Sequence, residues 1–297
     1  MSRYWIGLDA GGTGSTLVVT EPDLRVRKIY YGGAIQARKM PLDDQVAVIV
    51  DYLSRVEADF GLHSVAGFGL GIAGTGRPDE RIAIESALSR LHPNLPCKVV
   101  PDSEAAHIGA FAGGDGILVI TGTGSIVWGR EGSDWHRAGG FGYLIGDEGS
   151  GMKLGMEGLS AAGLAWDGGE PTVLCELLER EHGMIDGSIM VKMVYDGGFQ
   201  PSRIALQVLE AAERGDNVCR AICERQSQLL ASQVEIVARK LSTEAHRLVI
   251  WGGLQKNAYY NALIHNAIRA AVTDAEFTSP IYEPWVGAAL MAKNRTQ

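Results

Sequence analysis

The sequence predicts an α/β protein of two domains, with a helical insertion in the second. Three observations carry this. Strand-like segments followed by helices open the chain; the same grammar starts again near residue 116; and almost everything from Ser150 to Ser242 has helical periodicity. The 39 glycines also cluster, at 11–14, 67–76, 113–116, 122–124, 139–151 and 252–253, mostly after or within apolar β-branched runs. Glycine at a strand end permits positive φ and close approach of backbone to a ligand, so the repetition bears on function as well as fold.

In the first third, Tyr4–Asp9, Thr16–Thr20 and Val26–Tyr31 read as a three-stranded meander. Val46, Ile49, Val50, Leu53 and Val56 give 42–60 helical spacing. Ala66–Ile72 and Lys98–Pro101 are short strands, and Pro78–Leu91 is a helix with proline at its start and acids in its first turn. Ser103–Ala112 is a short helix that Gly113-Gly114 ends. The second cycle has strands at Gly116–Ile120 and Ser125–Arg130, a long helix over Asn217–Leu241, a strand at Arg247–Trp251, and helices over Asn257–Ala271 and Trp285–Lys293. The expected domains are 1–116 and 117–297, with the last helix, 284–294, packing back on the first, and a cleft between the two.

With 297 residues, 46% apolar and 21% charged, the chain can bury a sizeable core. Its net charge of −8 and pI near 5.4 argue against nucleic acid and anionic membranes as partners. No apolar run approaches the ~20 residues that span a bilayer. The start, Met1-Ser2-Arg3-Tyr4-Trp5, enters a strand with no signal-peptide pattern, and the four sparse cysteines fit a reduced, cytoplasmic setting.

Five segments carry chemistry. In the first, Ile6–Ser15, a buried strand delivers Asp9, then Gly11-Gly12, then Thr13. The glycines free backbone N–H groups to point at phosphate oxygens, while Asp9, which cannot bind phosphate, can hold a hydrated Mg²⁺. The structural alternative is a plain hairpin turn. In the second, Ile117–Ser125, the same order recurs about 110 residues later, with Gly122, Thr123 and Gly124. Two such turns, each opening an α/β half, are expected to face one another and hold a polyphosphate.

The third segment is Val99-Val100-Pro101-Asp102. It ends a strand where a helix begins, at the mouth of an open α/β sheet, where ligands bind. A carboxylate there can take the proton of an attacking hydroxyl, or simply cap the helix. The fourth, Gly139–Gly151, surrounds Asp147 and Glu148 with glycine and suits a loop wrapped on a polar ligand, with Phe141 or Tyr143 facing a sugar ring. In the fifth, a diglycine, Gly252-Gly253, follows the strand ending at Trp251, and lets the chain pass close to a flat base.

In this order the five segments resemble the superfamily of sugar kinases, actin and heat-shock chaperone ATPases. Within it the chain is similar to the N-acetylglucosamine/glucosamine kinase-like branch of the BadF/BadG/BcrA/BcrD ATPase family, from Ile6 to about Ala292. The resemblance implies two actin-like, ribonuclease H-like domains around a nucleotide cleft, ATP and Mg²⁺ as cofactors, and a small-molecule sugar as acceptor. It implies Asp102 as catalytic base, the two glycine turns as phosphate loops, and Gly252-Gly253 as the adenosine segment. Gln36, Ser125, Gly140, Phe141, Gly142 and Asp147 fall on the acceptor side. A homodimer is a common assembly in such a family.

Two positions depart from the pattern. Ile126 stands where N-acetylglucosamine kinases carry Asn, and Gly33-Ala34-Ile35-Gln36 replaces a segment with a sugar-contacting Asn. The acceptor expectation therefore spans N-acetylglucosamine, glucosamine and related hexose derivatives, phosphorylated at the C6 hydroxyl. The alternative within the same family is an ATPase activator of an acyl-CoA reductase or dehydratase, which needs cysteine ligands for an iron–sulfur cluster. Only Cys219 and Cys223 are near one another, and they read as core residues.

Overall fold

Alternation in the first strand sets the layers of the first unit. Ile6, Leu8 and Ala10 are fully buried in a core with Ile49, Leu53 and Val56 of one helix and Ile84 of another, while Trp5, Gly7 and Asp9 turn to the opposite face. The structure, a computed structural model, describes residues 3–12, 14–242 and 246–296.

The chain forms β1 (Tyr4–Ala10), β2 (Ser15–Thr20), β3 (Val26–Gly32), α1 (Leu42–Phe60), β4 (Val65–Ile72), α2 (Pro78–Leu91), β5 (Cys97–Pro101) and α3 (Asp102–Ala110). After these come β6 (Gly116–Thr121), β7 (Ser125–Glu131), β8 (Asp134–Gly139), α4 (Gly151–Trp166), α5 (Leu174–His182), α6 (Gly187–Val191), α7 (Ala205–Glu213) and α8 (Asn217–Ala238). The remainder is β9 (His246–Trp251), α9 (Ala258–Ala271), β10 (Ala275–Phe277) and α10 (Pro284–Thr296). Two compact units result: residues 1–115 with 279–297, and residues 116–278. The first is thus discontinuous, since residues 279–297 return to it from the end of the chain.

Each unit contains one five-stranded sheet, and the two sheets share a topology. The first has the order β3-β2-β1-β4-β5 and the second β8-β7-β6-β9-β10. In each, three strands form an antiparallel meander and two more add in parallel beyond the first of them. The sequence reading missed β8 and β10. The former, Asp134–Gly139, has an exposed polar start and runs into the glycine-rich segment, and the latter is only three residues long, so neither shows a period of two.

The first sheet is closed on its second face by α10, and glycine makes this possible. A Cβ on Gly7 would stand 2.0 Å from the Trp285 carbonyl oxygen, and one on Gly69 of β4 would stand 1.9 Å from that of Ala288. The helix backbone therefore rests on the two central strands where no side chain fits. In the second unit Ile117, Val119 and Val127 of the sheet meet Leu230, Val234 and Val237 of α8, and Tyr260 of α9 is fully buried in the same core. On α8, Leu229 matches the apolar spacing yet is 41% exposed. Among the described residues no helix is long and apolar enough to cross a membrane.

Candidate active site

In the first unit β1 delivers Asp9 to a tight turn closed by the Gly11 N–H donating to the Gly14 carbonyl at 3.0 Å. Thr13 lies outside the described residues. A Cβ on Gly11 would meet nothing within 4 Å, and one on Gly12 nothing nearer than the Gln36 amide at 3.8 Å. Packing does not require these glycines; they leave open space beside the backbone. The segment after β3 is drawn to the same place, because the Ile35 N–H donates to the Gly11 carbonyl at 3.2 Å and Gln36 bridges to Ala73.

Asp102 is the first residue of α3, at the end of β5, with Pro101 in the capping position. It is not the side-chain cap that its placement suggests: its Oδ1 accepts the N–H of the next residue, Ser103, at 2.9 Å. Burial raises its pKa above the usual carboxylate range. Asp9 is pushed up to about 7, first by burial, then by the charges of Asp102 and Glu283. The strand ends are fixed by a buried hydroxyl absent from the sequence reading. Thr75 Oγ1 donates to the Ile72 carbonyl at 2.7 Å and reaches that of Val100 at 3.1 Å, tying β4 to β5 just before Asp102. Gly71 of β4 lets α3 settle, since a Cβ there would be 2.6 Å from Ala105 Cβ.

In the second unit Gly122–Gly124 form the matching turn between β6 and β7, with the Gly122 N–H donating to the Gly124 carbonyl at 2.9 Å. The turn also anchors the helix that follows the acidic loop, because Gly151 and Met152 N–H groups donate to the Gly122 and Thr123 carbonyls at 2.8 and 3.1 Å. Gly252 must be glycine: its φ is +120° and a Cβ would sit 2.2 Å from the Thr121 carbonyl oxygen. Gly253 differs, with nothing within 4 Å of its Cβ position.

The acidic loop is built around Asp147, which is buried at 8% exposure and holds φ at +66°. Its Oδ1 accepts the Gly142 N–H at 3.1 Å, and a Cβ on Gly124 would stand 2.9 Å from its Oδ2. Burial raises its pKa, against the opposing effect of the Gly142 N–H. Ser125 Oγ donates to the Glu148 carbonyl at 2.7 Å, so its hydroxyl braces the loop. Ile126 packs beneath Gly140, whose Cβ position lies 2.5 Å from the Ile126 Cδ1. Phe141 is exposed, with the Arg137 guanidinium over its ring.

Four further side chains hold this loop, and spacing gave no sign of this role. The Gly149 N–H donates to Gln226 Oε1 at 2.7 Å, and the Gly149 carbonyl accepts Thr121 Oγ1 at 2.7 Å and the Tyr260 phenol at 3.1 Å. Gln233 Nε2 meanwhile donates to Glu148 Oε2 at 2.8 Å.

Two sheets of one topology, each with a glycine turn after its first meander strand and an acidic residue presented nearby, are the architecture of the actin-like ATPase fold. The chain belongs to the BadF/BadG/BcrA/BcrD ATPase family, whose model matches residues 6–292. It is 29% identical over 268 residues to an N-acetylmuramic acid/N-acetylglucosamine kinase of Clostridium acetobutylicum, covering 87% of each chain. It is 23% identical to an N-acetyl-D-glucosamine kinase of Dictyostelium discoideum, covering 98% of each. Among solved structures, a Chromobacterium violaceum protein with a provisional N-acetylglucosamine kinase name superimposes with a TM-score of 0.78 at 24% identity, over 98% of this chain and 99% of that one. This last likeness shows the fold.

Proposed function

We propose that this protein is an ATP-dependent kinase of an amino sugar, acting on the C6 hydroxyl of N-acetylglucosamine, glucosamine or a related hexose derivative. The observation that carries the reading is Asp102: a half-buried carboxylate at a strand-to-helix junction, of raised pKa, whose hydrogen bonds are local ones to backbone N–H groups. The names of the two curated relatives support the acceptor class.

The residues present fit a bound nucleotide and cation. Gly11, Gly12 and Gly253 leave space where side chains would intrude. Asp9, half-buried and crowded by two other acids, favours a nearby positive charge. Among the described residues no three acids, histidines or cysteines converge tightly enough to hold an ion alone, so Asp9 would bind Mg²⁺ through water. When bound, ATP supplies the phosphoryl group and Mg²⁺ neutralises its charge. Backbone N–H groups of Gly11–Gly12 and Gly122–Gly124 would stabilise phosphate oxygens. Asp147, with its second oxygen beside Gly124, would accept hydrogen bonds from acceptor hydroxyls. Asp102 would take the proton of the attacking hydroxyl, and the rise in its pKa makes it a stronger base than an ordinary carboxylate.

The activator alternative gains no support from the cysteines. Cys219 and Cys223 are fully buried within the apolar core of the second unit, where they present no face to a cluster shared with another subunit. The deciding experiment is ADP release with ATP–Mg²⁺ over a sugar panel, comparing the native chain with Asp102→Asn. Sugar-stimulated release that the variant loses supports the kinase; release indifferent to every sugar overturns it.

A further inference from the structure

Beside the loop that carries Asp147, the second unit opens a cavity of about 700 Å³. One wall is α4, where Met152, Met156, Gly163 and Leu164 recur at helical spacing; the other is Met190 of α6 and Tyr195 of the π turn that follows it over Lys192–Asp196. Tyr143 and Leu144 form one end. The rim is unusually apolar for open surface, with Leu144 77% and Tyr195 81% exposed. A concave, apolar cavity with few polar groups is the usual form of a small-molecule site, and methionine walls adapt to varied shapes. π turns also concentrate at functional positions.

The occupant follows from connectivity and charge. Leu144 and Asp147 belong to one loop and are three peptide units apart, so their Cα atoms are separated by at most about 11 Å. A molecule hydrogen-bonded to Asp147 can therefore extend a substituent towards the groove. The only charged lining residue is Asp167, and no Lys or Arg is present, which disfavours an anionic substituent. We propose that this groove is a specificity subsite for a neutral, apolar substituent, an acyl or aryl group, on the acceptor sugar. The inference rests on the kinase reading above.

The test is a series of N-acetyl-, N-butanoyl- and N-hexanoylglucosamine as acceptors for the native chain and for a Met156→Lys/Leu164→Glu double variant, both sites lying on the accessible rim. In the native chain KM is expected to fall about fourfold per added methylene as far as the groove extends, from the usual transfer free energy of a buried CH₂. The variant is expected to bring the ratio of KM values across the series close to one, with its circular dichroism unchanged. A flat series in the native chain overturns the subsite, as does a slope that survives in the variant. A flat series together with a variant that changes oligomeric state in sedimentation assigns the face to a second copy instead. Should no sugar be phosphorylated, the kinase reading falls separately. Calorimetric titration with N-hexanoylglucosamine then decides the groove: binding that the variant abolishes retains it, and no binding to the native chain removes it.

Discussion

The phenol of Tyr260 donates to the carbonyl of Gly149 at 3.1 Å, joining a core helix to the acidic loop across 111 residues of sequence. Thr121 shares the same carbonyl, and Gln226 takes the Gly149 N–H. Both polar groups of one peptide neighbourhood are thus held by buried side chains, and Asp147 lies two residues away. The left-handed φ of +81° at Gly149 and the 2.7 Å from its Cβ position to the Leu230 Cβ leave no room for any other residue.

Tyr260→Phe is expected to cost about 1 kcal/mol in urea unfolding, because the carbonyl keeps Thr121 as a partner. Gln226→Leu is expected to cost more, about 1–3 kcal/mol, since it strands a buried N–H. If the loop serves the acceptor, both variants raise the KM for sugar and leave that for ATP near the native value.

Gly252 and Gly253 are neighbours with opposite demands. Gly252→Ala forces a Cβ against the Thr121 carbonyl at a φ of +120°, and a drop in melting temperature with loss of soluble protein is expected. Gly253→Ala meets no protein atom within 4 Å and has an ordinary helical φ of −68°. It should melt like the native protein while binding ATP more weakly, measured by calorimetry.

Asp102→Asn preserves shape and removes the base. The expected loss in kcat is about 10²–10⁴-fold with the melting curve retained. In the native chain the rate should fall on acidification through a pKa above the ordinary carboxylate range, as burial of Asp102 dictates.

Asp9 predicts how stability varies with pH. Its folded pKa of about 7 exceeds the reference value of 3.8, so between those values the folded state keeps a proton that the unfolded chain has released. Stability from this group is therefore greatest below pH 3.8, declines as pH rises to about 7, and is level above that. The whole effect is at most about 4 kcal/mol. Melting curves from about pH 5 to about pH 8 should show a decline that Asp9→Asn lessens. Mg²⁺ should stabilise the native chain more at the alkaline end.

Much of the fold was legible because each strong element has its own period. The ranges 42–60 and 78–91 read as helices in the sequence and are helices in the structure. The strands β8 and β10 were illegible because their residues are stabilised by neighbours rather than by their own pattern: β8 pairs with β7, and β10 pairs with β9 through three residues. Among candidate site residues, Asp9, Asp102 and Asp147 stood out as acids beside glycine or at strand ends. Thr75, Gln226 and Tyr260 did not, because a hydroxyl, an amide or a phenol within a helix or loop has no signature until its distant partner is known.

The sequence by itself determined the α/β class, the glycine turns and the acids next to them, because strand alternation, helical periodicity and glycine's freedom at positive φ are local properties. Tertiary structure decided which glycines are obligatory: Gly7, Gly69 and Gly252 face another backbone at about 2 Å, whereas Gly11 and Gly253 face open space. It also decided the charge state that Asp9 favours, since burial and the fields of Asp102 and Glu283 depend on segments brought together only by folding. Contacts across more than a hundred residues, such as that of Tyr260 with Gly149, are set by how the layers pack, and no local pattern encodes them.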